Sequence, residues 1–323
     1  MGKLKYAFDY SKIIQFNGEN YHIRVRTNSE ANPVVLFLHG GPGSPDRAHT
    51  MRFQSPLADY LTLVAWDQRG CGKAYDAEKA KNERLTPKFC AKDANNVVEY
   101  LKKRFNKKTI FIVGHSYGSQ LGLWLASEYP ENIAAYIGVG QFVNSVLNED
   151  YSFRFVMEEA IKRNDSRAIK KINEIGPPQN GFYKNNNIMR QRNYLHKYGG
   201  AEYGSSKSFI NQILRSVPLL LTEYKPVELV KYIRGINYCL SQPIAQERTD
   251  FLTSVTTLDV PVYLTLGHHD YNCPWELGEQ WFKQLAAPRK ELIWFEKSAH
   301  SPQWEEPELW NKELLRIVKE NDV

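Results

Sequence analysis

Three side chains in this sequence have the types and loop positions that nucleophilic catalysis requires: Ser116, Asp270 and His300. A serine hydroxyl is a poor nucleophile until an imidazole takes its proton, and a carboxylate must hold that imidazole in one tautomer and stabilise its cation. Ser116 sits in Gly114-His115-Ser116-Tyr117-Gly118, directly after Thr109-Ile110-Phe111-Ile112-Val113, a β-branched and aromatic run of strand length. Leu121, Trp124 and Leu125 then recur at helical spacing. Strand, G-x-S-x-G, helix is the setting in which a serine stands at the apex of a sharp turn. The two glycines leave out side chains where strand and helix come too close for a Cβ. A plain glycine-rich turn carrying an ordinary serine has the same local composition, so the distant partners decide between the two readings.

Asp270 closes Gly267-His268-His269-Asp270, which follows an apolar strand candidate at residues 260–266. His300 lies in Ser298-Ala299-His300-Ser301, between a last strand at 291–295 and a closing helix expected over 305–318. The other histidines suit other roles. His39 and His115 are expected to pack and hydrogen-bond locally. His268 and His269 are neighbours leaving a strand and point in opposite directions, and no i,i+4 pair supports them, so no metal site is expected. A second glycine loop, His39-Gly40-Gly41-Pro42-Gly43, follows the continuously apolar Val34-Val35-Leu36-Phe37-Leu38. It has neither phosphate-loop nor dinucleotide-binding spacing. It suits an oxyanion hole in which the backbone N–H of Gly41 acts with that of Tyr117, the residue after the nucleophile.

These loops need a scaffold that ends several strands at one edge. Strands at 12–16 and 21–26, joined through Asn17-Gly18, predict an antiparallel hairpin at the start. Further strands at 34–38, 61–66, 109–113, 133–139, 260–266 and 291–295 alternate with helices, including one over 87–105 with Thr86 as its cap. That alternation predicts a mainly parallel central sheet with helices on both faces. Asp67 and Arg69, at the end of the 61–66 strand, are expected to act structurally, pairing with each other or with loop backbone. Residues 146–250 carry helical periodicity, charge and aromatics but no strand of core quality. They divide the chain into core (1–145), inserted helical cap (146–250) and core (251–323), with the cap over the strand ends as a lid.

The chain order nucleophile, acid, base is that of the α/β-hydrolase fold. His39-Gly40-Gly41-Pro42-Gly43, Trp66-Asp67-Gln68-Arg69-Gly70-Cys71-Gly72, the Ser116 pentapeptide, Gly267-His268-His269-Asp270 and Ser298-Ala299-His300-Ser301 together resemble the proline iminopeptidase-like family of α/β hydrolases, serine peptidases with a helical cap. The resemblance implies release of an N-terminal residue, often proline, from small peptides through an acyl-enzyme on Ser116, with no metal and no organic cofactor. It also implies that cap carboxylates bind the substrate's free amine. The family's cap motifs do not align with residues 146–250, and Lys73-Ala74 stands where the family usually has a serine, so no substrate-binding residue is assigned. The competing reading is an esterase, lactonase or amidase on the same three residues. Its apolar pocket would come from the aromatic-rich cap (Tyr151, Phe153, Phe155, Phe182, Tyr183, Tyr194, Tyr198). A binding protein of this fold would not need all three reactive side chains.

Composition narrows the partners. The 323 residues are 42% hydrophobic and 24% charged, without the signature of disorder. The net charge of +6 is spread out, and its densest group, Lys102-Lys103-Arg104 with Lys107-Lys108, falls at a helix end where cations suit the dipole. Nucleic acid is therefore not an expected partner. The four cysteines form no C-x-x-C pair, which indicates neither a zinc site nor a disulfide framework. The first residues have no apolar leader, and no window reaches roughly eighteen apolar residues. The expectation is a cytoplasmic protein with reduced thiols, no membrane partner and a small-molecule or short-peptide substrate; its oligomeric state is not legible.

Overall fold

The apolar runs pair into a single eight-stranded sheet in the computed structural model, which describes residues 6–184 and 187–322. The strands are β1 (Phe8–Phe16), β2 (Glu19–Thr27), β3 (Val34–Leu38), β4 (Thr62–Asp67), β5 (Ile110–His115), β6 (Ile133–Val139), β7 (Val262–Gly267) and β8 (Lys290–Phe295). Their spatial order is β1-β2-β4-β3-β5-β6-β7-β8. β1 and β2 form the expected hairpin, turning through Asn17 at φ 50° and Gly18 at φ 79°. Two successive left-handed residues are what a tight turn between right-twisted strands needs. β2 meets β4 antiparallel, and every pairing from there to β8 is parallel.

β3, β4, β5 and β7 are buried at every position, as strands covered on both faces must be. Alternate residues of β3 feed two separate cores. Leu36 and Leu38 pack with Val97 and Leu101 of the helix Pro87–Phe105, and Val35 and Phe37 pack with Trp310 and Leu314 of the helix Pro307–Asn321. The helix Pro87–Phe105 begins as its sequence requires, with the Thr86 hydroxyl accepting the Phe89 N–H at 3.3 Å. Between β6 and β7 the chain runs through a helical insertion, from the helix Ser145–Lys162 to the helix Phe251–Ser254.

Two sequence expectations are corrected. The closing helix expected over 305–318 runs over Pro307–Asn321, and a separate short helix, Pro302–Glu305, precedes it across Glu306 (φ −124°, ψ 58°). The Pro307 ring clashes with a helical residue before it, which forces the break. Asp67 and Arg69 do not pair with each other. Arg69 is gripped by Asp93 (2.6 Å), Glu19 (2.9 Å) and Glu83 (3.1 Å). Asp67 is held instead by Arg47, whose Nε lies 2.8 Å away with both side chains fully buried. It also accepts the Tyr224 hydroxyl (3.1 Å) from the insertion and, as expected of loop backbone, the Lys73 N–H (2.8 Å). Arg47 belongs to Arg47–Phe53, a helix too short to leave a periodic signature.

The Asp67 carboxylate thus ties β4, the Arg47 helix and the insertion together. Asp67→Ala would leave the Arg47 cation buried without a counter-charge, a change that costs about 3–5 kcal/mol. Equilibrium denaturant unfolding should show a loss of that size; a loss below about 1 kcal/mol would contradict the role given to the pair.

Candidate active site

β5 and the helix Tyr117–Glu128 meet at Ser116 with no intervening residue, and Ser116 takes φ 56°, ψ −123°. Residues with a side chain rarely adopt that conformation. Gly118 makes the turn possible, because a Cβ there would lie 1.9 Å from the Leu38 carbonyl oxygen. The Ser116 N–H donates to Val139 O at the end of β6 (3.0 Å). Ser119, which the sequence did not single out, braces the turn from behind: its hydroxyl donates to Ser116 O (2.6 Å) and accepts the Phe142 N–H (2.9 Å). The glycine loop after β3 reaches the same point, since a Cβ on Gly40 would lie 2.9 Å from Ser116 Cβ. Gly41 has φ 118°, and neither its N–H nor that of Tyr117 meets an acceptor among the described residues. His39 fastens this loop to the next one. Its Nδ1–H donates to Gly40 O (2.9 Å) and its Nε2 accepts the Gln68 N–H (3.2 Å), which requires a neutral ring.

Asp270 and His300 come together. The fully buried Asp270 accepts the His300 Nδ1–H on Oδ2 (2.9 Å), while its Oδ1 accepts the N–H groups of Asn272 and Cys273 (2.9 Å each). With Nδ1–H committed to the carboxylate, the neutral imidazole presents Nε2 as a base. The two loops are joined directly, His269 N–H donating to Ser298 O (3.1 Å). Gly267 lets them approach, because a Cβ there would be 2.1 Å from Ala299 O. His115 links the serine turn to the same place, its Nε2–H donating to His300 O (3.1 Å); burial pushes its pKa well down. The Ser116 hydroxyl makes no hydrogen bond to His300 in this structure. Cys273 joins the acid loop through its N–H, which donates to Asp270 Oδ1, and burial pushes its thiol well up. Its place three residues after Asp270 was the signal for it.

The helical insertion contributes a buried ion pair. Glu149, in the helix Ser145–Lys162, contacts Arg192 at 2.5 Å, and its Oε2 has no partner among the described residues. The neighbouring Asn148 donates to Asn272 O (3.0 Å), beside Asp270. Phe155 stacks on Tyr271 at 3.9 Å, whereas Tyr194 and Tyr198 pack on each other at 6.1 Å. His268 pairs with Glu296 (2.7 Å), and His269 lies against the Tyr203 ring (4.6 Å). No cluster of three metal-ligating side chains occurs among the described residues, and no helix there is long and apolar enough to cross a membrane.

The model of the alpha/beta hydrolase fold family matches residues 33–307. The chain belongs to that family. It is similar to a protein of Bacillus subtilis (strain 168) named probable aminopeptidase YbaC, at 30% identity over 89% of each chain. Among solved structures, the proline iminopeptidase of Mycobacterium smegmatis superposes with a TM-score of 0.67 at 17% identity, covering 97% of this chain and 99% of that one. An esterase from Thermogutta terrifontis superposes with a TM-score of 0.62 at 16% identity, covering 98% of this chain and 100% of that one.

The neutral histidines of this α/β hydrolase make its stability depend on pH. Burial pushes His39 down to about 4, and does the same to His49 and His196. An unfolded histidine titrates near 6.5, so between there and 4 the unfolded chain binds more protons. The stabilisation is fully present above pH 6.5 and is lost as pH falls. For His39 the loss reaches about 2 kcal/mol by pH 5. Asp46, pushed up to about 7 by burial, works in the opposite direction, so the variant comparison is the decisive one. His39→Asn keeps a donor and an acceptor without the titration. Its unfolding free energy should fall about 2 kcal/mol less than that of the parent between pH 7 and 5; parallel curves would refute the neutral-ring assignment.

Proposed function

We propose that this chain is an aminopeptidase of the proline iminopeptidase kind, acting on short peptides through an acyl-enzyme on Ser116. The observation that carries the reading is the buried 2.9 Å bond between Asp270 and His300, set beside a serine whose backbone is held at φ 56°. When a substrate enters, the Ser116 hydroxyl turns to His300 Nε2, in keeping with the loose contacts that free enzymes show before substrate tightens them. The imidazole takes the hydroxyl proton as Oγ bonds to the peptide carbonyl carbon. The resulting oxyanion accepts hydrogen bonds from the Gly41 and Tyr117 N–H groups. Collapse breaks the C–N bond, and the imidazolium returns its proton to the leaving amine. Water, deprotonated by the same imidazole, then attacks the acyl ester and frees Ser116. Asp270 stays ionised throughout and stabilises the imidazolium.

Peptidase specificity for a free N-terminus needs a carboxylate near the acyl pocket. Glu149 fits this role because it is buried, its Oε2 keeps unused lone pairs, and the neighbouring Asn148 donates to Asn272 O beside Asp270. The 30% identity to a protein named as a probable aminopeptidase supports the same direction. The insertion then acts as a cap, with the Glu149–Arg192 pair on its inner side.

Ser116→Ala and His300→Ala should each lower turnover by about a thousandfold or more while the far-UV spectrum and melting temperature stay unchanged. Near wild-type rates in either would defeat the assignment. A proline arylamide should be cleaved far faster than its N-acetylated form, and Glu149→Gln should raise KM for the free-amine substrate alone by about tenfold. Equal rates on both arylamides, with faster cleavage of a short-chain aryl ester, would make the enzyme an esterase.

A further inference from the structure

Glu305 ends the short helix that starts two residues after His300, and its carboxylate collects backbone N–H groups from two parts of the chain. Oε1 accepts the Ser301 N–H (2.8 Å), and Oε2 accepts the Ala299 N–H (3.1 Å) and the Tyr203 N–H (2.7 Å). Ala299 and Ser301 flank His300, so the peptide units on both sides of the base rest on one side chain. Tyr203 comes from the insertion, in the loop between the helices Asn187–Lys197 and Phe209–Leu220. That loop makes a second bond of the same kind: Gly200 O accepts the N–H of Tyr271, the residue after Asp270 (2.8 Å). One loop of the insertion therefore touches the neighbours of both the acid and the base.

We propose that Glu305 is a positioning residue that couples the seating of the insertion loop to the orientation of His300. The proposal rests on His300 being the base. Hydrogen bonds from backbone N–H groups to a carboxylate are charge-assisted and about twice as strong as neutral ones. With the loop seated, Glu305 has three such donors and Tyr271 has its acceptor. When the loop lifts, Glu305 loses the Tyr203 donor and Tyr271 loses Gly200, so the loops carrying acid and base loosen together. The reactive geometry is complete only with the insertion closed, and a misplacement on the order of 1 Å costs about a hundredfold in rate. Burial pushes the Glu305 carboxyl up, and these three N–H groups work against that shift.

The test reads phosphonylation of Ser116 by a small aryl fluorophosphonate, which needs the base but no knowledge of the natural substrate. Glu305→Gln keeps the shape but replaces one acceptor by a donor. It should lower the maximal labelling rate by about ten- to a hundredfold with the half-saturating concentration changed less than about threefold. The insertion side is tested independently. Tyr203 is the second residue of the Glu202–Ser205 turn, with Gly204 at φ 64°, a position that suits proline. Tyr203→Pro removes the N–H, whereas Tyr203→Ala removes only the ring. The proline variant should label about tenfold more slowly than the alanine variant, and adding it to Glu305→Gln should slow that variant no further.

Equal rates for Tyr203→Pro and Tyr203→Ala, a wild-type rate in Glu305→Gln, or multiplying effects in the double variant would overturn the coupling. If Glu305→Gln does not fold, the proline–alanine contrast decides alone. His300→Ala keeps the two failures apart. Full labelling in that variant would remove the base itself, whereas abolished labelling there with unaffected Glu305 and Tyr203 variants would remove only the coupling.

Discussion

The backbone of Ser116 is the constraint on which the rest of the structure turns. A residue with a side chain at φ 56°, ψ −123° costs on the order of 1–3 kcal/mol and persists only where its surroundings leave it no alternative. Those surroundings are present on every side. Gly118 lets the helix start against Leu38 O, Val139 O takes the serine's own N–H, and the Ser119 hydroxyl takes its carbonyl. Each of these partners ends a neighbouring strand or opens the helix behind. The strain is therefore secured by the order of β3, β5 and β6 in the sheet, and it leaves the Ser116 hydroxyl at the apex, clear of the backbone that holds it.

Around that point the loops are fastened by carboxylates, each serving several segments at once. Asp67 binds Arg47, Tyr224 and the Lys73 N–H; Asp270 binds His300 and two backbone N–H groups; Glu306 binds the Lys297 N–H and the Ser298 hydroxyl. An anion that receives two or three donors is well satisfied even when buried, whereas losing one donor leaves it partly unpaired. This makes loops without regular structure rigid enough to hold a base, while keeping their seating sensitive to the insertion that supplies some of the donors.

Much of this was legible in the sequence where one local signal sufficed. Continuous apolar runs marked β3 and β6 to the residue, Asn17-Gly18 marked the hairpin, and Thr86-Pro87 marked a helix start. The glycines around Ser116 marked the turn, and the loop positions of Asp270 and His300 after two neighbouring strands marked a pair that meets at 2.9 Å. What escaped was non-local. Nothing near Asp67 announces Arg47, which arrives from twenty residues earlier. Glu149 and Glu305 look like ordinary helix carboxylates, and only the folded chain reveals which donors they meet. The closing helix was marked to within a few residues, but not the short separate helix that precedes Pro307.

The proposed reaction requires that Ser116, His300, Gly41 and Tyr117 surround one reacting carbon. It is tested most directly by a crystal structure of the enzyme after reaction with an aryl fluorophosphonate. That structure should show a phosphonyl group on Ser116 Oγ, with its free oxygen within hydrogen-bond distance of both the Gly41 and Tyr117 N–H groups and His300 Nε2 facing the ester oxygen. An adduct on another residue, or one on Ser116 whose oxygen points away from both N–H groups, would contradict it.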